Sequence, residues 1–360
     1  MKIMQVIPYF CFGGAETMCE NLTYALQEMG HQVTVVSLLP ERTPISERME
    51  GFGVRIVYLD KKLGLDLSMI PKLTKLMRAE KPDVVHTHLN VIKYAALAAR
   101  LAGIPRCIHT VHNVAEEEAE GRLQKITNQF FFRRGWSVPV ALSPEVKNSI
   151  VSFYGIGEES VPVIYNGVDL SRCLPKEDYG AENLRLLHIG RFNEQKNHRG
   201  LLEAFRLILK EYPQCTLELL GDGELMEQTV SYAKELGIAE SVFFRGSRTD
   251  VYPFFNAADI FLLPSKFEGM PMTIIEAMGT GLPIVATAVG GVPDMLTHGE
   301  SGLLVPCESG AVAGAVLQLA QSEELRARLG RRAKQESRRF SAEHMAERYC
   351  AVYHGEGEIL

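Results

Sequence analysis

The sequence predicts an α/β protein made of two Rossmann-like, doubly wound, parallel-sheet domains that face each other across a cleft. Three observations predict it. The chain has 360 residues, too many for one ordinary domain and suited to two of about 150–200 each. Short β-rich runs alternate with helical patterns along its whole length, as in doubly wound folds. Many of those runs are continuously apolar, which is how strands covered by helices on both faces read.

In the first half the runs fall at 2–7, 32–38, 54–59, 84–87, 106–110, 138–142 and 161–165. In the second half they fall at 185–189, 216–220, 242–245, 260–263, 283–287 and 302–305. The division comes at Asn166-Gly167-Val168-Asp169, a turn signal, with Pro175 following in a polar stretch. The expected organisation is a first domain over 1–165, a linker over 166–183, a second domain over 184–340 and a terminal helix over 341–360. Arginines crowd that last helical region (Arg326, Arg328, Arg331, Arg332, Arg338, Arg339), and the simplest reading is a solvated face.

Hydrophobic residues at 46% and charged residues at 23% match a globular composition. The net charge of −6 argues against nucleic-acid binding. Seven scattered cysteines, without a Cys-x-x-Cys pair, point to reduced thiols in a cytoplasm. The N-terminal apolar run stops at Gly13-Gly14 and does not read as a secretory signal. No run of about 18 apolar residues would span a membrane.

The strongest chemical signal is the pair Glu268 and Glu276. Glu268 lies in a loop with Gly269 and Pro271, and Glu276 in the opening turns of a helix. A helix N-terminus offers free N–H groups to a phosphate. Carboxylates to either side suit sugar hydroxyls, so the outline is that of a nucleotide sugar. Gly190-Arg191 and Lys196 follow the first strand of the second half. Two cations there would neutralise a departing diphosphate. Gly13-Gly14-Ala15-Glu16 is a similar strand-to-helix turn in the first half, and Gly290-Gly291 another in the second. Neither dinucleotide nor P-loop spacing is present. Gly221-Asp222-Gly223 reads equally as a plain tight turn.

His86, His88, His109 and His112 gather at first-half strand ends. A His-x-His pair on a strand shares one face, which raises zinc, but no Cys or carboxylate is evident to complete a ligand set. His112, in a loop, can instead reach a sugar hydroxyl. No Asp-x-Asp motif stands at a strand end, so no metal and no cofactor are expected. Leaving-group charge would fall on Arg191, Lys196 and helix N-termini.

Taken in order, these motifs resemble the retaining glycosyltransferases of the GT-B fold, family 4 (glycosyl transferases group 1), over nearly the whole chain. The resemblance implies that His112, Arg191, Lys196 and Glu268 are catalytic. Donor binding would fall to Gly14, Gly190, Arg191, Lys196, Glu268, Gly269, Met270, Pro271, Met272, Thr273 and Glu276, with the base near Gly246, Ser247 and Arg248. Glu276 would hold the ribose, Glu268 the hexose, and the backbone of Met272 and Thr273 the phosphates. The first domain would bind the acceptor, and the terminal helix would brace it. UDP is the expected nucleotide, with GDP open. Two departures stand out: His112-Asn113 where the family often has His-Asp, and Pro293-Asp294 where it often has Pro-Glu.

The expected partners are a nucleotide-sugar donor and a glycan or lipid-linked acceptor, as in cell-surface polysaccharide synthesis, and no nucleic acid. Glu116–Glu120 reads as a solvated face. The following stretch sets Phe130-Phe131-Phe132 among Arg122, Lys125, Arg133 and Arg134. It reads either as a core helix or as a contact with anionic lipid on the inner face of the cell membrane. A GT-B epimerase and a non-catalytic nucleotide-sugar-binding subunit are the alternatives. The first needs carboxylates that cannot be identified, and the second sits poorly with intact Arg191, Lys196, Glu268 and Glu276.

Overall fold

The computed structural model describes residues 1–11, 13–119, 121–180 and 183–355. Phe12, Glu120, Ala181, Glu182 and 356–360 lie outside the described residues, and with them parts of the predicted acidic run, linker and terminal helix. The chain forms two units, one from Met1–Gly167 with the chain from Ala342 onward, the other from Val168–Ser341.

The first unit holds β1 (Lys2–Ile7), β2 (Gln32–Ser37), β3 (Arg55–Tyr58), β4 (Val84–His88), β5 (Arg106–Val111) and β6 (Val138–Ala141). They pair in the order β3-β2-β1-β4-β5-β6, all parallel. The second unit holds β7 (Arg185–Ile189), β8 (Thr216–Leu220), β9 (Val242–Gly246), β10 (Ile260–Leu263), β11 (Ile284–Thr287) and β12 (Leu303–Val305). Its order, β12-β11-β10-β7-β8-β9, repeats the first. Both sheets reverse direction at one point, between β1 and β4 and between β7 and β10. Loops leaving the strand ends there diverge and leave room for a ligand.

The apolar runs become buried strands. Ile260, Phe261, Leu262 and Leu263 of β10 are all enclosed. The helix His198–Glu211 buries Leu201, Leu202, Phe205 and Ile208 along one stripe. Each such side chain contributes about 1.5–3 kcal/mol. The predicted strand at 161–165 is reduced to a single bridge between Ala141 and Val163. Pro162 cannot donate a ladder hydrogen bond, so pairing does not extend.

The helix Ala342–His354 belongs to the first unit. Its Tyr353 hydroxyl meets His86 Nδ1 at 2.7 Å, and its Tyr349 hydroxyl meets Thr110 Oγ1 at 2.7 Å. The arginine-rich helix before it, Glu323–Ser337, is not solvated throughout. Arg326 is buried and donates to the carbonyls of Tyr179, Leu319 and Ala320. A guanidinium presents five fixed donors, and here they satisfy carbonyls at a helix end and in the 168–180 segment.

Candidate active site

The second unit concentrates the predicted residues around the β7–β10 switch. β7 ends at Ile189 and turns through Gly190. A Cβ on Gly190 would lie 3.0 Å from His188 Nε2 and 3.1 Å from the Lys196 stem, so a larger residue would press on both side chains. Asn193 Oδ1 accepts from the Lys196 amide, and left-handed Asn197 caps the helix His198–Glu211 through the Gly200 amide. Lys196 is thereby fixed one residue before the helix cap.

β10 leads through Ser265 and Lys266 into the Glu268 loop. Glu268 Oε1 stands 2.5 Å from Lys196 Nζ, and its side chain is 5% exposed against 15% for the lysine. Gln195 Nε2 donates to the Phe267 carbonyl at 3.0 Å and to Glu268 Oε2 at 3.4 Å. The Gly291 amide donates to the Gly269 carbonyl at 3.0 Å. Gly290 has φ +54, and a Cβ there would fall 1.7 Å from the Glu268 carbonyl oxygen. The Gly290-Gly291 pair therefore clamps the Glu268 loop by close backbone approach.

The helix Met272–Thr280 starts at Pro271 with no side-chain cap, leaving the amides of Met272 and Thr273 without a backbone partner among the described residues. Met270, Pro271 and Met272 are buried, whereas Gly269 and Thr273 are half-buried. Glu276, one turn into the helix, is 7% exposed. Its carboxylate has no hydrogen-bond partner among the described residues. Burial lifts its pKa to about 8, and only the Arg172 charge works against the rise. Arg172 stacks over the Tyr252 ring at 4.3 Å and pairs with Asp250 at 3.4 Å. Sequence reasoning missed Arg172 and Tyr252, because nothing local ties them to Glu276.

Arg191 is exposed, its guanidinium 4.0 Å from Glu224. Gly246 ends β9, and its carbonyl accepts from the Gly221 amide at 3.0 Å, while Ser247 and Arg248 are exposed. A Cβ on Gly221 would strike the Gly190 carbonyl at 2.0 Å, and one on Gly223 the Phe192 backbone at 2.5 Å. The 221–223 stretch is thus a packed support for the Gly190 turn. Strand ends β7, β8 and β9 stack there through three glycines.

In the first unit, Gly14 opens the helix Gly14–Glu28 after β1. His112 follows β5, and burial holds its imidazole neutral with a pKa near 4. Glu118 is turned inward from the acidic run expected to be solvated. Its Oε2 accepts from the amides of His112 and Asn113 at 2.5 and 3.2 Å, and its Oε1 lies 3.3 Å from His109 Nε2. A carboxylate does therefore stand beside the histidines. Among the described residues, however, no three His, Cys, Asp or Glu side chains are placed to share an ion.

Two family profiles match the chain, Glycosyltransferase Family 4 over residues 12–172 and Glycosyl transferases group 1 over 176–336. The two matched segments together take in most of the sequence. The chain belongs to the family 4 type of GT-B glycosyltransferases. It is 29% identical over 278 residues to the UDP-Gal:alpha-D-GlcNAc-diphosphoundecaprenol alpha-1,3-galactosyltransferase of Escherichia coli, covering 72% of each chain. It is 28% identical over 347 residues to the lipopolysaccharide core biosynthesis glycosyltransferase LpsE of Rhizobium meliloti, covering 94% of this chain and 95% of that one. The solved structure of Anabaena Alr3699/HepE in complex with UDP shares the fold with a TM-score of 0.85 at 21% identity, over 99% of this chain and 100% of that one.

Proposed function

We propose that this glycosyltransferase is retaining and moves a hexose or N-acetylhexosamine from a UDP-sugar to a glycan or lipid-linked acceptor, without a metal, in cell-surface polysaccharide synthesis. The observation that carries the reading is Glu276. Among the described residues, a buried carboxylate without a hydrogen-bond donor sits in a helix whose first amides have no partner, and a nucleotide offers hydroxyls and phosphate in that same arrangement. The galactosyl and lipopolysaccharide transferases among the relatives favour this donor and acceptor class.

In the proposed reaction the acceptor hydroxyl oxygen bonds to the anomeric carbon on the face that the diphosphate leaves. The carbon–oxygen bond to the diphosphate breaks, and the departing phosphate oxygen takes the acceptor proton. The carbon passes through an oxocarbenium-like state, so no protein nucleophile is required. Lys196 and Arg191 stabilise the leaving charge. As Lys196 turns to the phosphate, Glu268 is freed to accept from the sugar hydroxyls. His112 accepts from a sugar hydroxyl, and Gly14 permits close backbone approach to a phosphate. Gly246, Ser247 and Arg248 border the base.

Calorimetry with UDP, GDP, ADP and NAD, without added metal, tests the donor site. Tight UDP binding lost in Glu276→Ala and Lys196→Ala is expected, and binding of NAD alone would sink the reading. An α-linked product from an α-linked donor, formed in the presence of a chelator, is expected. A β-linked product would refute retention.

The proposal places the enzyme in the cytoplasm, on the inner membrane face. No helix among the described residues is long and apolar enough to cross a membrane. The helix Arg122–Arg133 supports a peripheral contact. Phe131 and Phe132 enter the core, but Leu123, Ile126 and Phe130 are 71%, 53% and 43% exposed on one stripe beside Arg122, Lys125, Arg133 and Arg134. Binding to vesicles with anionic lipid at low salt, weakened by Leu123→Ser with Phe130→Ser, is expected. Indifference to such vesicles would remove the contact.

A further inference from the structure

The buried polar atoms behind His112 form a chain with one allowed direction. Thr23 Oγ1 donates to the Cys19 carbonyl at 2.7 Å, and a carbonyl can only accept. Thr23 Oγ1 must then accept from Gln5 at 2.7 Å, which puts the Gln5 amide nitrogen on that side. Gln5 Oε1 faces His88 Nε2 at 2.9 Å and also takes the Cys19 thiol at 3.4 Å. His88 Nε2 therefore carries the proton. Burial keeps His88 neutral, so its Nδ1 is a bare lone pair. That lone pair meets His112 Nε2 at 3.2 Å, and His112 must supply the hydrogen. Gln5, Thr23, Cys19 and His88 are all enclosed. His86 lies against His88 but is bound separately by Tyr353 and Thr110.

We propose that Thr23, Gln5 and His88 form a directional relay that fixes His112 as its Nε2–H tautomer, so that His112 Nδ1 presents a lone pair and accepts a hydrogen bond from a sugar hydroxyl. The three are positioning residues, and His112 alone touches the ligand. The ligand half rests on His112 being a sugar contact, as proposed above. The relay itself rests on the hydrogen bonds and on the burial that keeps His88 neutral. Nδ1 of His112 has no partner among the described residues. As an acceptor it favours a hydroxyl and disfavours a carboxylate or phosphate oxygen in the same place.

The test is a two-bond proton–nitrogen correlation spectrum of the full chain labelled at histidine, with His112 assigned by its loss in His112→Ala. The Nε2–H pattern is expected for His112. The Nδ1–H pattern in the wild-type protein would overturn the relay, whatever the variants do. Gln5→Glu sets a carboxylate against His88 and promotes its protonation, so both its nitrogens donate and His112 must switch to Nδ1–H. Transfer should then fall about tenfold, the weight of one hydrogen bond turned repulsive, while UDP binding in the second unit is unchanged. A folded Gln5→Glu protein whose His88 is doubly protonated in the same spectrum while His112 keeps the Nε2–H pattern would also overturn the relay. A switched tautomer with unchanged transfer would uphold the relay and refute the sugar contact.

Discussion

Lys196 Nζ and Glu268 Oε1 stand 2.5 Å apart in a setting that encloses the carboxylate and leaves the lysine only 15% exposed. The pair joins the first strand-to-helix turn of the second unit to the loop leaving β10, across the point where strand order reverses. Each charge holds the other in place while both belong to the candidate donor site.

Removing either partner leaves a charge short of compensation. Lys196→Met and Glu268→Gln should each destabilise the fold, and the double variant should lose less than the sum. A double-mutant cycle by urea denaturation should give a coupling of about 1–3 kcal/mol. Transfer should fall at least about 100-fold in Lys196→Met, as expected for loss of a group that stabilises developing charge.

Glu276 should make donor binding depend on pH. In the free protein its pKa is raised to about 8, so it is largely protonated at neutral pH. Ribose hydroxyls would donate to the ionised form and lower that pKa, so binding releases a proton. UDP affinity should rise with pH until about 8 and then level, measured by calorimetry in buffers of different ionisation enthalpy. Uptake of a proton on binding would contradict this.

The same carboxyl should cost stability in the absence of ligand. Its folded pKa lies above its unfolded one, so the folded state binds more protons between about 4.5 and 8, and stability falls as pH rises through that range. Glu276→Gln should therefore raise the melting temperature of the free protein more at pH 8 than at pH 5, while abolishing UDP binding. An equal effect at both pH values would count against an uncompensated carboxyl.

Gly290→Ala should act on the site without unfolding the sheet. The new methyl would overlap the Glu268 carbonyl and sit at a φ that side chains avoid. Displacing the Glu268 loop by about 1 Å should lower kcat/KM roughly 100-fold, with β-sheet circular dichroism retained.

Arg326→Ala should do the reverse. It strips three backbone carbonyls of their donor and should cost about 2–4 kcal/mol. Where the protein is still folded, the KM for the donor should be unchanged.

The repeated α/β plan was legible because buried parallel strands need unbroken apolar runs and helices need a 3.6-residue stripe. Both are local properties, visible in stretches such as 260–263 and 198–211. The Glu268–Glu276 element was legible for a related reason, since a strand end, a loop with Gly and Pro and a helix start are written in consecutive residues. The resemblance to a known family then supplied roles that spacing alone could not.

Local residue order set where strands, helices and glycine turns fall, and which short stretches carry acids, bases and free amides. Which of these meet depends on how the chain folds back on itself. Glu118 looked like one more solvated acid until its loop turned it onto the His112 amide. Arg172 lies 104 positions before Glu276 in the numbering yet acts on its charge. Gln5 lies within β1, His88 and His112 at the ends of β4 and β5, and Thr23 on the helix Gly14–Glu28, all brought side by side by the sheet order. Hydrogen bonds and charges act over a few ångströms of space, and chain separation carries no information about that distance.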